Sequence, residues 1–169
     1  MRHRNVFLGI GCNVGDCPNH IRQAEKKIAE IAEISLRSSV YVTRAYGNED
    51  QERFLNRVIL VNTDFSPGEF MEKLLNIEKE AGRRAHKKWA PRIIDIDIIF
   101  WNKLVIEEEE LTVPHYDYKN RDFFLVPAAE IFPGFIPPDS GEKLISLAEK
   151  VKEKTIISKE KAFEPVYSG

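Results

Sequence analysis

Two runs rich in β-branched and aromatic residues, 36–43 and 54–61, follow one another with only the polar stretch 45–53 between them. That stretch carries Gly47, Asn48 and Asp50 and reads as a loop. Strands joined without a crossover helix pair antiparallel, because a parallel pair needs a connection of a dozen or more residues. The rest of the pattern is organised around this pair. Residues 6–10 read as a short buried strand, followed by a loop through Gly11, Asn13, Gly15 and Asp16. Pro18 suits a first helical turn, and Ile21, Ala24, Ile28, Ile31 and Ala32 recur at helical spacing through about Ile34. Ser66, Pro67 and Glu69 open a second helix that runs to about Gly82, in the manner of a capping box. A strong strand covers 92–101, and a short extended piece ends at Pro114. Two helices follow, over 123–131 with Pro127 inside and over 143–151. The order strand, helix, strand, strand, helix, strand is the split βαβ arrangement. We expect an α+β protein, a ferredoxin-like α/β sandwich whose mostly antiparallel sheet carries helices packed on it, with residues 1–169 forming a single domain.

The chain's 169 residues suit one domain with a real core, at 43% apolar and 31% charged residues. A net charge of −2 gives no reason to expect a nucleic-acid or membrane partner. No segment approaches the roughly 20 apolar residues that span a bilayer. Arg2 and Arg4 precede an apolar run too short for a signal peptide. The two cysteines, Cys12 and Cys17, match no zinc spacing, and we expect free thiols in a reducing compartment, the cytoplasm.

The most informative segment is 89–100. Strand side chains alternate faces, so Ile94, Ile96, Ile98 and Phe100 share a core face, while Asp95 and Asp97 share the other face with Ile93 and Ile99. Two carboxylates roughly 7 Å apart repel each other, and aspartate is a poor strand former. Taken alone, the pair fits a solvated strand face as well as a cation site. Magnesium usually takes one or two protein carboxylates, with phosphates and waters completing its shell. The neighbouring basic loop, with Arg83, Arg84, Lys87, Lys88 and Arg92, shifts the balance, as do His115, Lys119 and Arg121 downstream. Cations beside metal-binding carboxylates are what a polyphosphate requires. The segment Gly9-Ile10-Gly11-Cys12-Asn13-Val14-Gly15 is similar to a dinucleotide fingerprint, but its last spacing is one residue too long and no acidic residue follows the next strand. A tight strand-to-helix turn is the simpler role.

Four ordered blocks together resemble the 6-hydroxymethyl-7,8-dihydropterin pyrophosphokinase family: 8–16; Arg92-x-x-Asp95-x-Asp97 preceded by Trp89 and Pro91; Val113-Pro114-His115-Tyr116 with Arg121-Asp122-Phe123; and Pro127 with Glu130-Ile131-x-Pro133. The resemblance implies transfer of pyrophosphate from ATP to 6-hydroxymethyl-7,8-dihydropterin in folate biosynthesis, with AMP leaving. It implies that Asp95 and Asp97 ligate two magnesium ions and that Arg83 and Arg92 act on the phosphates. Glu78, Arg84, Trp89, Arg92, Ile98, His115, Tyr116 and Arg121 would line the ATP site. Phe54 and Phe123 would sandwich the pterin, with Thr43, Asn56 and the backbone near Tyr46 reading its edge. We expect a monomer acting on these two small molecules. The chain departs from the family where Thr43-Arg44-Ala45 replaces Thr-Pro-Pro, where Ala90 replaces a glycine, and where Ala85 stands in place of a second loop arginine.

Overall fold

The computed structural model describes residues 2–47, 50–82 and 93–160. In chain order the elements are β1 (His3–Cys12), α1 (Cys17–Ile28), β2 (Glu33–Arg37), β3 (Val40–Thr43), β4 (Phe54–Thr63), α2 (Pro67–Glu80), β5 (Asp95–Trp101), β6 (Ile106–Glu107), β7 (Thr112–Val113), α3 (Asp122–Ile131), α4 (Leu144–Lys150) and β8 (Ile156–Glu160). The main sheet has six strands, ordered β5-β1-β4-β3-β8 with β2 also paired to β4. The pairings are antiparallel throughout. Within β1, α1, β3, β4, α2 and β5 this is the expected ferredoxin-like arrangement.

The sheet is covered on both faces. Ile21, Ala24 and Ile28 of α1 and Phe70 and Leu74 of α2 pack with Ile10, Ile59, Ile96 and Ile98. Phe124, Leu125 and Ala128 of α3 and Leu144 and Leu147 of α4 pack with Phe7, Val58, Leu60, Ile99 and Phe100. Strict alternation places Phe100 with the first group, but a register shift between Phe7 and Leu8 leaves Ile99 without a partner on β1. This irregularity turns Phe100 to the second face and Trp101 to the first. Residues 95–98 lie before the shift and keep the expected alternation.

Three other expectations are corrected. The first helix ends at Ile28 and not near Ile34. Ile34 instead pairs with Val61 in β2, and the Ile31 carbonyl accepts from the Thr63 hydroxyl at 3.1 Å. Tertiary pairing overrides the continued helical spacing. The run 36–43 splits at Ser38 and Ser39: the Ser38 N–H donates to the Val58 carbonyl at 2.8 Å, and its hydroxyl accepts from the Val58 N–H at 2.9 Å. The serine side chain thus carries the ladder across the break. Finally, Cys12 and Cys17 form a disulfide rather than free thiols. The turn between them brings the sulfurs together as Asp16 caps α1 by accepting from the Asn19 N–H at 3.3 Å.

Beneath α1 lies a buried ionic cluster. The Arg57 side chain, 2% exposed, donates to Glu25 at 3.1 Å and to the Ser38 carbonyl at 2.7 and 3.0 Å. Arg37 donates to Glu25 at 2.7 Å. A buried pair broken from one side leaves an uncompensated charge. Glu25→Ala is therefore expected to destabilise the protein by about 3–5 kcal/mol, read as a lower urea midpoint. A loss within 1 kcal/mol would show that Arg57 is solvated by other means.

Candidate active site

The pairing of β1 with β5 sets the floor of the site. Gly11 faces Asp95 and Gly9 faces Asp97 across the two strands. Gly11 also pairs with Asn56 on β4. A methyl at Gly11 would lie 2.6 Å from Asn56 Oδ1, and one at Gly9 would lie 2.7 Å from Phe124 Cε1. Both glycines are needed because another group occupies the space a side chain would fill. Gly9 lies in the strand as expected, and Gly11 belongs to the same strand and not to the loop that the sequence suggested. The turn itself is made at Gly15, with φ of 72°.

Above this floor is a cavity of about 470 Å³. Asp95 and Asp97 line it, as do His115, Tyr116 and Arg121. Thr43, Tyr46, Phe54, Asn56 and Phe123 also line it, together with Arg44, Gln51 and Phe124. The cavity therefore joins every residue expected on the pterin side to both aspartates and to three residues expected on the nucleotide side.

Asn56 and Thr43 are buried, at 8% and 1% exposure, and the Asn56 amide donates to Thr43 Oγ1 at 2.8 Å. That bond orients the amide, whose carbonyl oxygen and second N–H offer an acceptor and a donor to a ligand edge. Phe54 and Phe123 are half-buried, leaving ring surface toward the cavity. The Tyr46 ring meets Phe123 edge-on, with centroids 5.8 Å apart.

His115 follows the cis Val113–Pro114 bond, and its N–H donates to the Ile99 carbonyl at 2.9 Å. The Asp117 N–H donates to His115 Nδ1 at 3.1 Å, so in the neutral ring the proton sits on Nε2. Burial pulls the imidazole down to about 4, the Arg121 guanidinium adds to the effect, and Asp117 and Asp95 oppose it. Arg121 lies over Tyr46 at 5.2 Å and Phe124 at 5.3 Å, and donates to Asp117 at 3.1 Å. Burial disfavours the Asp117 charge, yet hydrogen bonds from Asn120, Arg121 and Tyr46 hold it below the usual carboxylate range. Asp117 thus anchors the arginine and tyrosine together, a role the sequence reading missed; its spacing of four residues before Arg121 was the available signal.

Two residues expected at the nucleotide site do not line this cavity. Ile98, 4% exposed, packs in the core beneath α1 and α2. Glu78, 2% exposed, accepts the Ile96 N–H at 2.7 Å and so supports β5 from behind the aspartates. Arg83, Arg84, Trp89 and Arg92 lie outside the described residues.

The donor set fits a hard divalent cation. Asp95 and Asp97 are half-buried carboxylates on a cavity wall, and among the described residues no group of three or more His, Cys, Asp or Glu side chains is placed to enclose a metal. Two carboxylates with room for ligand phosphates and waters suit magnesium, which usually takes only one or two protein carboxylates.

Comparison with known proteins agrees with this geometry. Residues 7–133 match the family model described as 7,8-dihydro-6-hydroxymethylpterin-pyrophosphokinase. A protein of Aquifex aeolicus named 2-amino-4-hydroxy-6-hydroxymethyldihydropteridine pyrophosphokinase is 44% identical over 133 residues, covering 79% of this chain and 83% of its own. A protein of the same name from Bacillus subtilis is 38% identical over 128 residues, covering 75% of this chain and 77% of its own. Among solved structures, the wild-type HPPK-DHPS of Plasmodium falciparum with pteroate superposes with a TM-score of 0.69 at 15% identity, a likeness of fold. The match covers 89% of this chain, which spans only 43% of that longer one.

Gly11→Ala should cost about 1–3 kcal/mol of stability and shift the Asn56 side-chain amide resonance. Gly68→Ala, with nothing within 4 Å of the added methyl, should do neither. An unmoved Asn56 signal in Gly11→Ala would refute the close approach. His115 gives a second expectation. Its folded value near 4 lies below the ordinary 6.5, so between them the unfolded chain binds the extra proton. Stability should therefore be intact above pH 6.5 and fall toward pH 4, and His115→Gln should flatten that slope. A His115 ring signal titrating near 6.5 by NMR would contradict the account.

Proposed function

The chain belongs to the 7,8-dihydro-6-hydroxymethylpterin-pyrophosphokinase family, and we propose that the cavity between β1, β5 and α3 is where its two substrates meet. The activity is that of the family: pyrophosphate passes from ATP to 6-hydroxymethyl-7,8-dihydropterin, a step in folate biosynthesis. The observation that carries the assignment is one cavity bordered by the Asn56–Thr43 pair, two aromatic rings and two strand carboxylates.

The pterin ring lies between Phe54 and Phe123, which gain from an aromatic partner on their open faces. The Asn56 amide reads its hydrogen-bonding edge, pre-set by Thr43. This seats the hydroxymethyl group toward Asp95 and Asp97. Arg121 and the Nε2–H of His115 donate to nucleotide phosphate oxygens, the imidazole staying neutral while the guanidinium supplies charge. We assign Arg83, Arg84, Trp89 and Arg92 to the same nucleotide, with Arg83 and Arg92 on the transferring phosphates. Asp95 and Asp97 would hold two magnesium ions, which when bound would neutralise phosphate charge. The substrate hydroxyl oxygen bonds to the β-phosphorus, the bond from that phosphorus to the oxygen bridging the α-phosphorus breaks, and AMP leaves while the hydroxyl proton is released. The chain's own contribution is orientation and exclusion of water, and no enzyme nucleophile is required. We assign the work to a single-domain monomer in the cytoplasm; among the described residues no helix is long and apolar enough to cross a membrane.

The test is product analysis with ATP, magnesium and hydroxymethyl dihydropterin. AMP and the pterin diphosphate are expected in equal amounts, and ADP in their place would overturn the reading. Asp97→Ala should lower kcat by roughly 10²–10³-fold with a much smaller change in the pterin KM. Equal kcat in wild type and variant would remove Asp97 from the reaction.

A further inference from the structure

The pterin-side wall of the cavity is supported from outside the span that the family model matches. That span ends at residue 133. Beyond it, the chain returns along the sheet, and β8 pairs with β3 so that Ile156 faces Thr43. Just before β8, residues 153–155 meet Arg44 at several points. The Arg44 N–H donates to the Thr155 carbonyl at 2.9 Å. Its guanidinium donates to the Lys154 carbonyl at 3.0 and 3.2 Å and lies 3.7 Å from Glu153 Oε1. This turn is in its turn fixed to the start of α3. Asp122, 2% exposed, accepts the Thr155 N–H at 2.7 Å, the Ile156 N–H at 3.1 Å and the Thr155 hydroxyl. Thr155 is itself 1% exposed.

We propose that Asp122, Thr155 and Arg44 form a strut that positions the pterin-binding wall for this chain's reaction. The sequence neighbours give the strut its meaning. Asp122 immediately precedes Phe123 and Arg44 immediately follows Thr43, two of the residues assigned above to the pterin. Phe123 and Thr43 line the cavity from different elements, α3 and β3, and the gap between them sets how a ring face at Phe123 and a ring edge at Thr43 and Asn56 are met together. A buried carboxylate accepting three hydrogen bonds from 155–156, joined through one residue to the Arg44 backbone, fixes that gap. Arg44 anchors itself through main-chain and side-chain donors together, and a proline there would have no N–H to give. Asp122 and Thr155 are positioning residues, since they do not line the cavity and act through Thr43 and Phe123; Arg44 also borders the cavity, so Thr155→Val is the variant that reads the strut by itself.

The proposal rests on the pterin reading above, and the experiment separates the two. Thr155→Val keeps shape and removes the hydroxyl bond to Asp122; Arg44→Ala removes the guanidinium contacts. Each full-length variant is titrated with hydroxymethyl dihydropterin in the presence of magnesium and an unreactive ATP analogue, and its kinetics and melting are measured. The expected result is a pterin Kd and KM raised about tenfold in each, with the analogue's Kd and the kcat at saturating pterin close to wild type in Thr155→Val. In the double variant the two losses should be less than additive, because both act through one connection. Variants that are folded at the assay temperature and bind pterin as wild type does would overturn the strut alone. Equal weakening of pterin and nucleotide would also overturn it, as general loosening. A wild-type chain that binds no pterin would remove the pterin reading and the strut with it.

Discussion

The antiparallel contact between β1 and β5 is the constraint on which the rest depends. Two glycines on one strand stand opposite two aspartates on the other. Without side chains at Gly9 and Gly11, Phe124 and Asn56 come down against the strand, and the cavity opens above them. The carboxylates project beside that cavity because the sheet alternates its faces, and because the register shift of this pair falls at Phe7 and Leu8, past the aspartates. The Ile96 N–H, between the two aspartates, is taken by Glu78, so the strand is fixed from behind as well.

The electrostatics follow from the same arrangement. Anionic and cationic groups border one cavity, Asp95 and Asp97 together with Arg44 and Arg121. On the same cavity His115 is kept neutral by burial and by the arginine, although Asp117 and Asp95 pull the other way. A neutral donor and a fixed cation can hold a phosphate chain without adding a proton that would have to be managed at neutral pH. The guanidinium is locked by Asp117 and by the surrounding rings, so little orientational freedom remains to be lost when a ligand binds.

Much of this was legible in the sequence, and the exceptions have definite physical causes. The alternation of Ile94, Asp95, Ile96, Asp97 and Ile98 reads correctly because it depends only on the strand's own period. Phe100 does not, because the bulge that turns it is a property of the pairing with β1. The first helix was read too long because Ile31 and Ala32 are partly buried in a turn that mimics helical spacing. The disulfide was missed because spacing alone does not show that the turn through Gly15 brings Cys12 and Cys17 together. Glu78 was placed at the nucleotide site by the family resemblance alone; that its buried carboxylate accepts an edge-strand N–H is something no local pattern announces. The strut was invisible for a similar reason, since Asp122 and Thr155 are far apart in the chain and neither stands out in its own segment.

The most direct measurement is anomalous diffraction from crystals grown with manganese, an unreactive ATP analogue and hydroxymethyl dihydropterin. The account predicts manganese within bonding distance of both Asp95 and Asp97, the analogue's phosphates completing its shell, and the pterin ring between Phe54 and Phe123. Manganese peaks remote from both aspartates, or a pterin bound outside the cavity, would contradict it.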